Sequence, residues 1–249
     1  MPGAPQIDGK PALMNALVFG DGWAAYRGQS SDNSPHRHAA IQLVFGSDRD
    51  VCVVGEDGKE FAGRTVVIQP MVEHSLIARD VVSVLYLEPQ TPLAFRVMDE
   101  IGGGDITIIN EPGFLGFDCK LPLQEWVEKL SDSVPGGRST VDHRLSIALQ
   151  ELAENPNELQ IAHMAEKLGL SDSRLRFLAR RHLGFPLSTW MLWRKLDRAA
   201  RALYDGETLV DAALLGGFSD QAHLSRTMRR MFGMTPRAVQ GLTLASGGS

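Results

Sequence analysis

The sequence has little cysteine and no long apolar run. Its 249 residues include only two cysteines, Cys52 and Cys119, so neither a disulfide framework nor a four-cysteine metal site is available. The apolar runs are far shorter than the roughly 20 residues of a membrane-spanning helix. The first ten residues, MPGAPQIDGK, lack the apolar centre of a signal peptide. We therefore expect a cytoplasmic protein without a membrane partner.

The motifs of common enzyme classes are missing as well. The sequence contains no phosphate-binding glycine loop, no dinucleotide-binding fingerprint and no nucleophile motif. Hydrophobic residues make up 43% of the chain and charged residues 22%, a composition typical of globular proteins, and the length suffices for two domains. We therefore predict a protein that is not an enzyme and that needs no cofactor, apart from a metal ion considered below.

Charges of the two signs are unevenly distributed. Residues 1–140 hold 11 Lys and Arg against 19 Asp and Glu, a net charge of −8, whereas residues 141–249 hold 14 against 11, a net charge of +3. An acidic first half followed by a basic second half suggests two separate functions. The net charge of −5 for the whole chain therefore does not exclude a polyanionic partner for the second half.

Residues 1–130 are predicted to form a barrel-like domain of β-strands. Four runs of strand length are rich in β-branched residues: AIQLVFG, VCVVG, RTVVIQP and VVSVLYLEP. Turn-forming stretches such as GEDGKE separate them at intervals of roughly ten residues, a spacing typical of antiparallel sandwiches and barrels. In the first run Ile41, Leu43 and Phe45 alternate, so they should share one face of a strand.

One helix is predicted near the end of this domain. In LPLQEWVEKLSD the apolar residues recur at helical spacing, at Leu123, Trp126, Val127 and Leu130. This apolar stripe could dock onto the barrel or form the seam of a dimer, and the sequence leaves both readings open. The next stretch, SDSVPGGRST, is predicted to be a linker over residues 131–140.

The pattern of residues 141–249 is helical and contains an internal repeat. KLGLSDSRLRFLARRHLG aligns with LGGFSDQAHLSRTMRRMFG, with an offset of 48 between Gly169 and Gly217 and of 49 between Leu175 and Leu224. Each copy reads as a helix, a glycine turn, a Ser-Asp start and a second helix that carries arginines. This is the layout of a helix-turn-helix, whose second helix enters the major groove of DNA.

The faces of these second helices support the same interpretation. Leu224, Met228 and Met231 share one face at helical spacing and are predicted to point into the core. The same is predicted for Leu175, Leu178 and His182 in the earlier copy. The arginines then lie on the other faces. Arginine suits DNA because its guanidinium group can bind guanine edges or phosphates through paired hydrogen bonds.

This half resembles the AraC/XylS family of bacterial transcription regulators over roughly residues 141–241. The resemblance is carried by GFSD, HLSR and RRMFGMTP in the second copy, by the first copy, and by STWMLWRKLDRAARALYDG between them. It implies two helix-turn-helix units joined by that helix, with two recognition helices in successive major grooves. Carried over by position, the base-facing candidates are Ser173, Arg176 and Phe177 in the first unit and Ala222, His223 and Arg226 in the second. Further DNA-binding candidates on the same helices are Arg174, Arg180, Gln221, Arg229 and Arg230.

The first unit departs from the family pattern at two positions. Phe177 stands where a polar base-reading residue is common, and Ala179 stands where a large core residue is usual. We therefore expect the first recognition helix to hold phosphates more than it reads bases.

Three histidines of the first half form a pattern that resembles a cupin barrel. His36 and His38 lie in SPHRHAAIQLVFG, and His74 lies in IQPMVEHSL. Cupin enzymes bind a metal through such histidines and a glutamate four residues after the second one, a position that Gln42 occupies here. Three readings stay open: a zinc, iron or nickel site formed by His36, His38 and His74, an effector pocket lined by these residues and Gln42, or histidines with a structural role.

Together these features predict an α+β two-domain chain, in which an all-β cupin-like barrel precedes an all-α domain with two helix-turn-helix units over residues 141–249. The predicted function is a sequence-specific regulator that binds double-stranded promoter or operator DNA under the control of a small-molecule effector. We expect a homodimer, with RNA polymerase as a further partner. The alternatives are a metal-dependent cupin enzyme fused to a DNA-binding domain and a constitutive DNA-binding dimer without an effector.

Overall fold

The computed structural model describes residues 16–29, 34–47, 49–77, 80–111, 114–118, 120–132, 141–154, 156, 159–233 and 235–240. Its strands are β1 (Ala16–Gly20), β2 (Trp23–Gln29), β3 (Ile41–Gly46), β4 (Val51–Gly55), β5 (Glu60–Gly63), β6 (Thr65–Ile68), β7 (His74–Ile77), β8 (Val81–Leu87) and β9 (Ile106–Ile109). Its helices are α1 (Pro92–Ile101), α2 (Leu123–Asp132), α3 (His143–Glu154), α4 (Leu159–Lys167), α5 (Asp172–Leu183), α6 (Leu187–Tyr204), α7 (Leu209–Leu215) and α8 (Gln221–Phe232). Residues 236–240 are also helical.

The strands form two antiparallel sheets around a common interior. The larger sheet has the order β1-β2-β8-β3-β6-β9, and the smaller sheet has the order β5-β4-β7. In β3, Leu43 pairs with Val67 on one side and with Leu85 on the other, and alternate residues of the strand face opposite sides of the sheet. Val44 of the larger sheet and Val53 of the smaller sheet belong to one buried core. This is the barrel-like arrangement that the sequence predicts.

Helices α1 and α2 cover the outer face of the larger sheet. Ile41, Leu43 and Phe45 point to this side, as predicted, and share a second core with Trp126 of α2. The rings of Phe45 and Trp126 meet edge to face at 5.1 Å. The whole apolar stripe of α2 is buried against this sheet. The docking interpretation of the stripe is therefore correct, and its use as a dimer seam is ruled out.

Helix α1 lies in residues 91–120, where the sequence shows no clear period. Its start nevertheless carries ordinary signals: Pro92 is its first residue, and the Thr91 side chain accepts a hydrogen bond from the amide of Ala94. The first domain thus adds one helix, α1, to the predicted strands and to the predicted helix α2. Both helices are needed because the outer face of the larger sheet is apolar and must be covered.

Helices α3 to α8 form the predicted helical domain. Ser171 caps the start of α5 and Asp220 caps the start of α8, and both helices end at glycines in the left-handed region, Gly184 (φ 85°) and Gly233 (φ 64°). Helix α5 packs on α4 and helix α8 packs on α7, while α6 contacts α5, α7 and α8. The two helix-turn-helix units are therefore α4–α5 and α7–α8, joined by α6.

Helix α6 also joins the helical domain to the barrel. Nη1 of Arg194 donates to Oε1 of Glu88 at 2.7 Å, and both side chains are largely buried. Arg201 donates to the carbonyl oxygen of Gly20 at 2.7 Å, and its guanidinium group lies over the ring of Phe19. A single apolar core runs from the barrel interior into the helices. Helix α6 is therefore the element that positions both units relative to the barrel.

The predicted linker over residues 131–140 falls between α2, which ends at Asp132, and α3, which begins at His143. Residues 133–140 lie outside the described part of the chain. Over the described ranges, no helix combines the length and the apolar character that crossing a bilayer requires.

Candidate functional site

The first recognition helix, α5, turns most of its predicted DNA-binding residues outward. The exposed members of the set are Ser173, Arg174, Phe177 and Arg180. Phe177 alone has 51% of its surface exposed, and the guanidinium group of Arg174 lies 5.1 Å from the centre of its ring. Arg176 is partly buried and forms an ion pair with Asp172, one turn earlier, at 3.1 Å. Two arginines of this helix thus already contact neighbours on α5.

The second recognition helix, α8, presents a larger polar surface. Its exposed members of the predicted set are Gln221, Ala222, His223, Arg226, Arg229 and Arg230. Leu224, Met228 and Met231 on the opposite face are buried, as the periodicity predicts. The carboxylate of Asp220 accepts a hydrogen bond from the amide of His223 at 2.7 Å, which fixes the first turn.

Arg230 is placed differently from Arg226, because it lies near the end of α8. It borders a cleft of about 280 Å³ between α6, α8 and the barrel, which His36 and Glu73 also line. We call this space the interdomain cleft. Glu73 is held there by an ion pair with Arg37 at 2.5 Å. Arg230 therefore lies at the junction of the second recognition helix and the barrel.

The three predicted histidines come together at that junction. The backbones of His36 and His74 pair through two hydrogen bonds of 3.0 Å each. The ring centroids of His36 and His74 lie 4.4 Å apart, and those of His38 and His74 lie 5.2 Å apart. All three side chains are buried. One nitrogen from each ring lies within 4.8 Å of the chosen nitrogens of the other two rings. We call these three residues the histidine cluster.

Backbone carbonyl groups fix the orientation of each ring. Each Nδ1 lies close to a carbonyl oxygen two residues away: that of Ser34 for His36 (3.0 Å), Ala40 for His38 (2.9 Å) and Val72 for His74 (3.0 Å). A carbonyl oxygen only accepts, so each Nδ1 must carry a hydrogen. Burial, aided by the charge of His36, lowers the pKa of His38 to about 4, and burial also holds the pKa of His74 well below its ordinary value. These two rings are therefore neutral near pH 7, with a lone pair on Nε2.

Gln42 faces the histidine cluster from the inner side of β3. Its Oε1 lies 2.6 Å from Nε2 of His38 and 2.8 Å from Nε2 of His74. An oxygen cannot donate a hydrogen bond to a nitrogen lone pair. Two arrangements resolve this contact: the amide turns so that its NH₂ group donates to the rings, or a cation lies between the oxygen and the nitrogens. In both arrangements the Gln42 side chain contacts the rings of His38 and His74 directly.

The helical domain closes one side of the histidine cluster. The ring of Trp193 on α6 lies 5.9 Å from that of His38 and 4.9 Å from that of Phe232, the last residue of α8. Tyr86 on β8 completes the group, at 5.3 Å from His38 and 6.0 Å from Phe232. The cluster therefore faces the interface between the barrel and the helical domain.

Gly233 brings the end of α8 closest to the cluster. A Cβ atom at this position would lie only 2.8 Å from Nδ1 of His36, so a side chain there would push the ring away. Sequence reasoning missed Trp193, Phe232 and Gly233 as parts of this site, because they lie in the other half of the chain and no periodicity links them to the histidines. The available signal was the second tryptophan in STWMLWRK, a large apolar side chain on the helix between the two units.

Known proteins share the helical domain. A family model described as a helix-turn-helix domain matches residues 164–241. The transcriptional regulator MxiE of Shigella flexneri is 23% identical over 117 residues, which are 47% of this chain and 56% of MxiE, and MxiE of Shigella sonnei gives the same figures. The chain therefore spans about half the length of the curated relatives it matches.

Solved structures share the whole architecture. ToxT from Vibrio cholerae aligns with a TM-score of 0.55 at 10% identity, over 92% of this chain and 100% of ToxT. A ToxT structure with a bound unsaturated fatty acid aligns with a TM-score of 0.52 at 10% identity, over 88% of this chain and 94% of that one. At such identities the likeness concerns the fold, and it confirms a barrel followed by a helical domain. Over residues 164–241 the chain thus carries a helix-turn-helix domain, and it is similar to a protein named as a transcriptional regulator.

Proposed function

We propose that this chain is a sequence-specific DNA-binding regulator of transcription whose barrel responds to a small effector. The observation that carries the proposal is the arrangement of α5 and α8, two capped helices with exposed arginines on either side of α6. The same α6 is anchored to the barrel by the buried pair of Arg194 and Glu88. A change in the barrel therefore has a physical route to the DNA-binding residues.

DNA contact is proposed for the exposed residues of both recognition helices. The half of the chain that carries them has a net charge of +3, and the other half has −8. A basic domain neutralises phosphates, while like-charge repulsion keeps an acidic domain away from the duplex. Binding should therefore weaken steeply with salt, with a slope of about 0.9 per neutralised phosphate.

Effector binding is proposed for the histidine cluster, Gln42 and the interdomain cleft. These features lie where the barrel meets α6 and α8. The unsaturated fatty acid in the ToxT structure supports control by a small ligand in a protein of this fold. An effector shifts DNA affinity only if it binds the DNA-competent and incompetent arrangements differently. A site between the two domains would change shape with their arrangement, which supports placing the effector there.

The remaining parts of the proposal concern partners. A homodimer would double the number of DNA contacts on a repeated operator, and contact with RNA polymerase would convert binding into a change of transcription. We propose the cytoplasm as the location, because both processes need access to the promoter. The curated relatives are named as transcriptional regulators, which supports a binding function over catalysis.

The first experiment selects duplexes from random DNA with the full chain at physiological salt, with and without added effector candidates. We expect a bipartite motif whose halves lie about one helical turn apart, since two recognition helices enter successive major grooves. The Arg226→Ala variant is then measured on the selected duplex. It should lose roughly 1–3 kcal/mol of binding free energy, or about 5- to 150-fold in affinity, because one arginine contact disappears.

The matched control is Arg96→Ala, which removes a surface arginine from α1 in the barrel domain. Its affinity should stay within about twofold of the unchanged protein, since a rim charge far from the contact contributes little. An equally small effect of Arg226→Ala would show that α8 is placed wrongly. Failure to enrich any motif under any condition would overturn the proposed function.

A further inference from the structure

We infer that Phe177 on α5 contacts the 5-methyl group of a thymine in the major groove, and that this apolar contact gives the first recognition helix its base preference. The inference rests on the DNA binding proposed above, and it names the chemical group that the first unit recognises. It concerns one contact in a helix that otherwise holds phosphates.

Phe177 occupies the centre of the exposed face of α5. Ser173 lies one turn before it and Arg180 lies one turn after it, and all three side chains are exposed. Residues three and four apart share one face of a helix. A duplex that lies along this face therefore meets the ring of Phe177 at the middle of the contact.

The two recognition helices expose the same positions. The order of buried, partly buried and exposed residues over 172–181 is identical to that over 221–230. Phe177 consequently stands where α8 carries Arg226, the residue proposed to contact bases in the second unit. The ring of Phe177 and the guanidinium group of Arg226 therefore leave equivalent positions of their helices on the exposed side.

The surroundings of Phe177 suit DNA better than an apolar protein surface. It is the single large apolar side chain that is exposed on α5, a helix that the structure describes over its whole length. Surfaces that bind other proteins through apolar contacts usually have a contiguous patch. The base edges of the major groove offer one apolar group, the 5-methyl group of thymine. Covering an exposed phenyl ring with that group is favourable, because both apolar surfaces leave water.

Arg174 stabilises the ring and can connect it to the DNA backbone. Its guanidinium group lies 5.1 Å from the centre of the Phe177 ring, within the range of a cation–π attraction. This attraction acts on the charge of the group rather than through its N–H donors, so these donors can still bind a phosphate. Phosphate contacts fix the orientation of a protein on the duplex. Arg174 thus supports a placement of the ring against the neighbouring base edges.

The expected effect is that of a single methyl group. Removing one methyl group from an apolar contact weakens binding by about three- to fivefold. A bidentate contact between an arginine and a guanine discriminates more strongly, by about 5- to 150-fold. The first unit therefore contributes less to sequence specificity than the second unit does. Because a methyl contact releases no counterions, its contribution should not change with salt.

The test uses the full chain and the duplex that it selects from random DNA. Arg226→Ala should relax the base preference in the half bound by α8, which identifies the other half as that of α5. In that half each thymine is replaced in turn by deoxyuridine, which lacks only the 5-methyl group and still pairs with adenine. We expect at least one position at which affinity falls about three- to fivefold, equally at low and at physiological salt.

The same comparison in variants isolates the ring. Phe177→Ala should bind the thymine and deoxyuridine duplexes equally within about 1.5-fold, whereas Phe177→Leu, which keeps an apolar side chain, should retain most of the difference. Ile77→Ala is the matched control, because it removes an apolar side chain of similar exposure, 43%, from the barrel. It should show the full difference. Each ratio is measured on one preparation, so any unfolded fraction cancels.

Two kinds of failure are distinguishable. A selected half without thymine, an affinity that ignores the methyl group at every thymine of that half, or a difference that persists in Phe177→Ala would overturn the thymine contact. Each of these results leaves the proposed function standing, since a motif has been selected. Failure to select any motif would overturn both, because the thymine contact depends on DNA binding.

Discussion

Helices α5 and α8 have twelve residues each, a capped start and a left-handed glycine at the end, yet their surroundings differ. Helix α5 packs on α3, α4 and α6 within the helical domain, and it pairs Arg176 with Asp172 on its own surface. Helix α8 ends against the barrel, where Phe232 contacts Tyr86. The position of the exposed, apolar Phe177 in α5 corresponds to that of the charged Arg226 in α8.

This difference between the two units bears on the DNA binding proposed above. The first unit is suited to hold phosphates more than to read bases, because its central exposed residue, Phe177, is apolar. The second unit is suited to read bases and to respond to the barrel, because its arginines are exposed and its end touches the histidine cluster. A regulated protein of this design needs only one of its two units to be coupled to the effector.

The contact between the barrel and α8 is broken most strongly by Trp193→Ala. This side chain is 4% exposed, so its removal should lower the free energy of unfolding by roughly 3–5 kcal/mol. Because Trp193 links His38 to Phe232, hydrogen exchange should accelerate more in α8 than in α5. The change is followed by chemical denaturation and by exchange measured residue by residue.

Trp190→Ala is the matched control for that comparison. Trp190 is equally buried in α6 at 1% exposure, and it borders a different cleft, next to α3 and Thr91. Trp190→Ala should lower the free energy of unfolding by a similar amount, but it should accelerate hydrogen exchange equally in α5 and α8. Equal acceleration in α5 and α8 for both variants would remove the distinction between the units.

The charge difference between the units is tested by Asp172→Asn. The substitution frees Arg176 from its ion pair and removes a negative charge from the DNA-binding surface, so affinity for DNA should rise by about two- to tenfold at low salt. Glu125→Gln is the control, since it breaks a similar ion pair with Lys129 at 2.7 Å on α2, in the other domain. A rise of the same size in both variants would reflect net charge alone.

The smallest expected effect is a pH dependence of stability that arises from the different capping residues of α5 and α8. Hydrogen bonds from the amide of His223 and the hydroxyl of Ser219 lower the pKa of Asp220, whereas Ser171 at the start of α5 does not titrate. The cap of α8 therefore contributes stability that is present above the unfolded pKa of about 3.9 and is lost as the pH falls through the lower folded pKa.

Asp220→Ser should abolish this dependence, because serine also caps helices but carries no charge. The measurement is the melting temperature of both proteins at pH 6 and at pH 3, where all other carboxyl groups contribute equally and cancel. We expect the unchanged protein to lose more stability than the variant between these values. An equal loss would show that the carboxylate of Asp220 does not stabilise α8 as an ion.

Much of the helical domain could be predicted from the sequence. The starts of α5 and α8 at their Ser-Asp pairs and the buried faces with Leu175 and Leu224 appear in the structure as expected. These features depend on interactions within one or two helical turns, which a short stretch of sequence specifies. The histidines, too, could be recognised as a set before their positions were known.

Other features could not be predicted in the same way. The stripe of α2 was compatible with two partners, because an apolar face specifies burial but not the surface that buries it. Helix α1 escaped the periodicity, although Thr91 and Pro92 mark its start. The ion pair of Arg194 and Glu88 could not be predicted, because no local sequence pattern indicates which charges of two different domains will meet.

The sequence by itself determined the two-domain order, the two helix-turn-helix units and the exposed arginines of α5 and α8, since local periodicity, capping and charge specify them. Only the tertiary structure decided that α6 is fastened to Glu88 and Gly20, that Gln42 faces His38 and His74, and that the end of α8 rests on the histidine cluster. These contacts depend on strand register and on the fit between two domain surfaces. Both arise only when distant parts of the chain bury their apolar faces together.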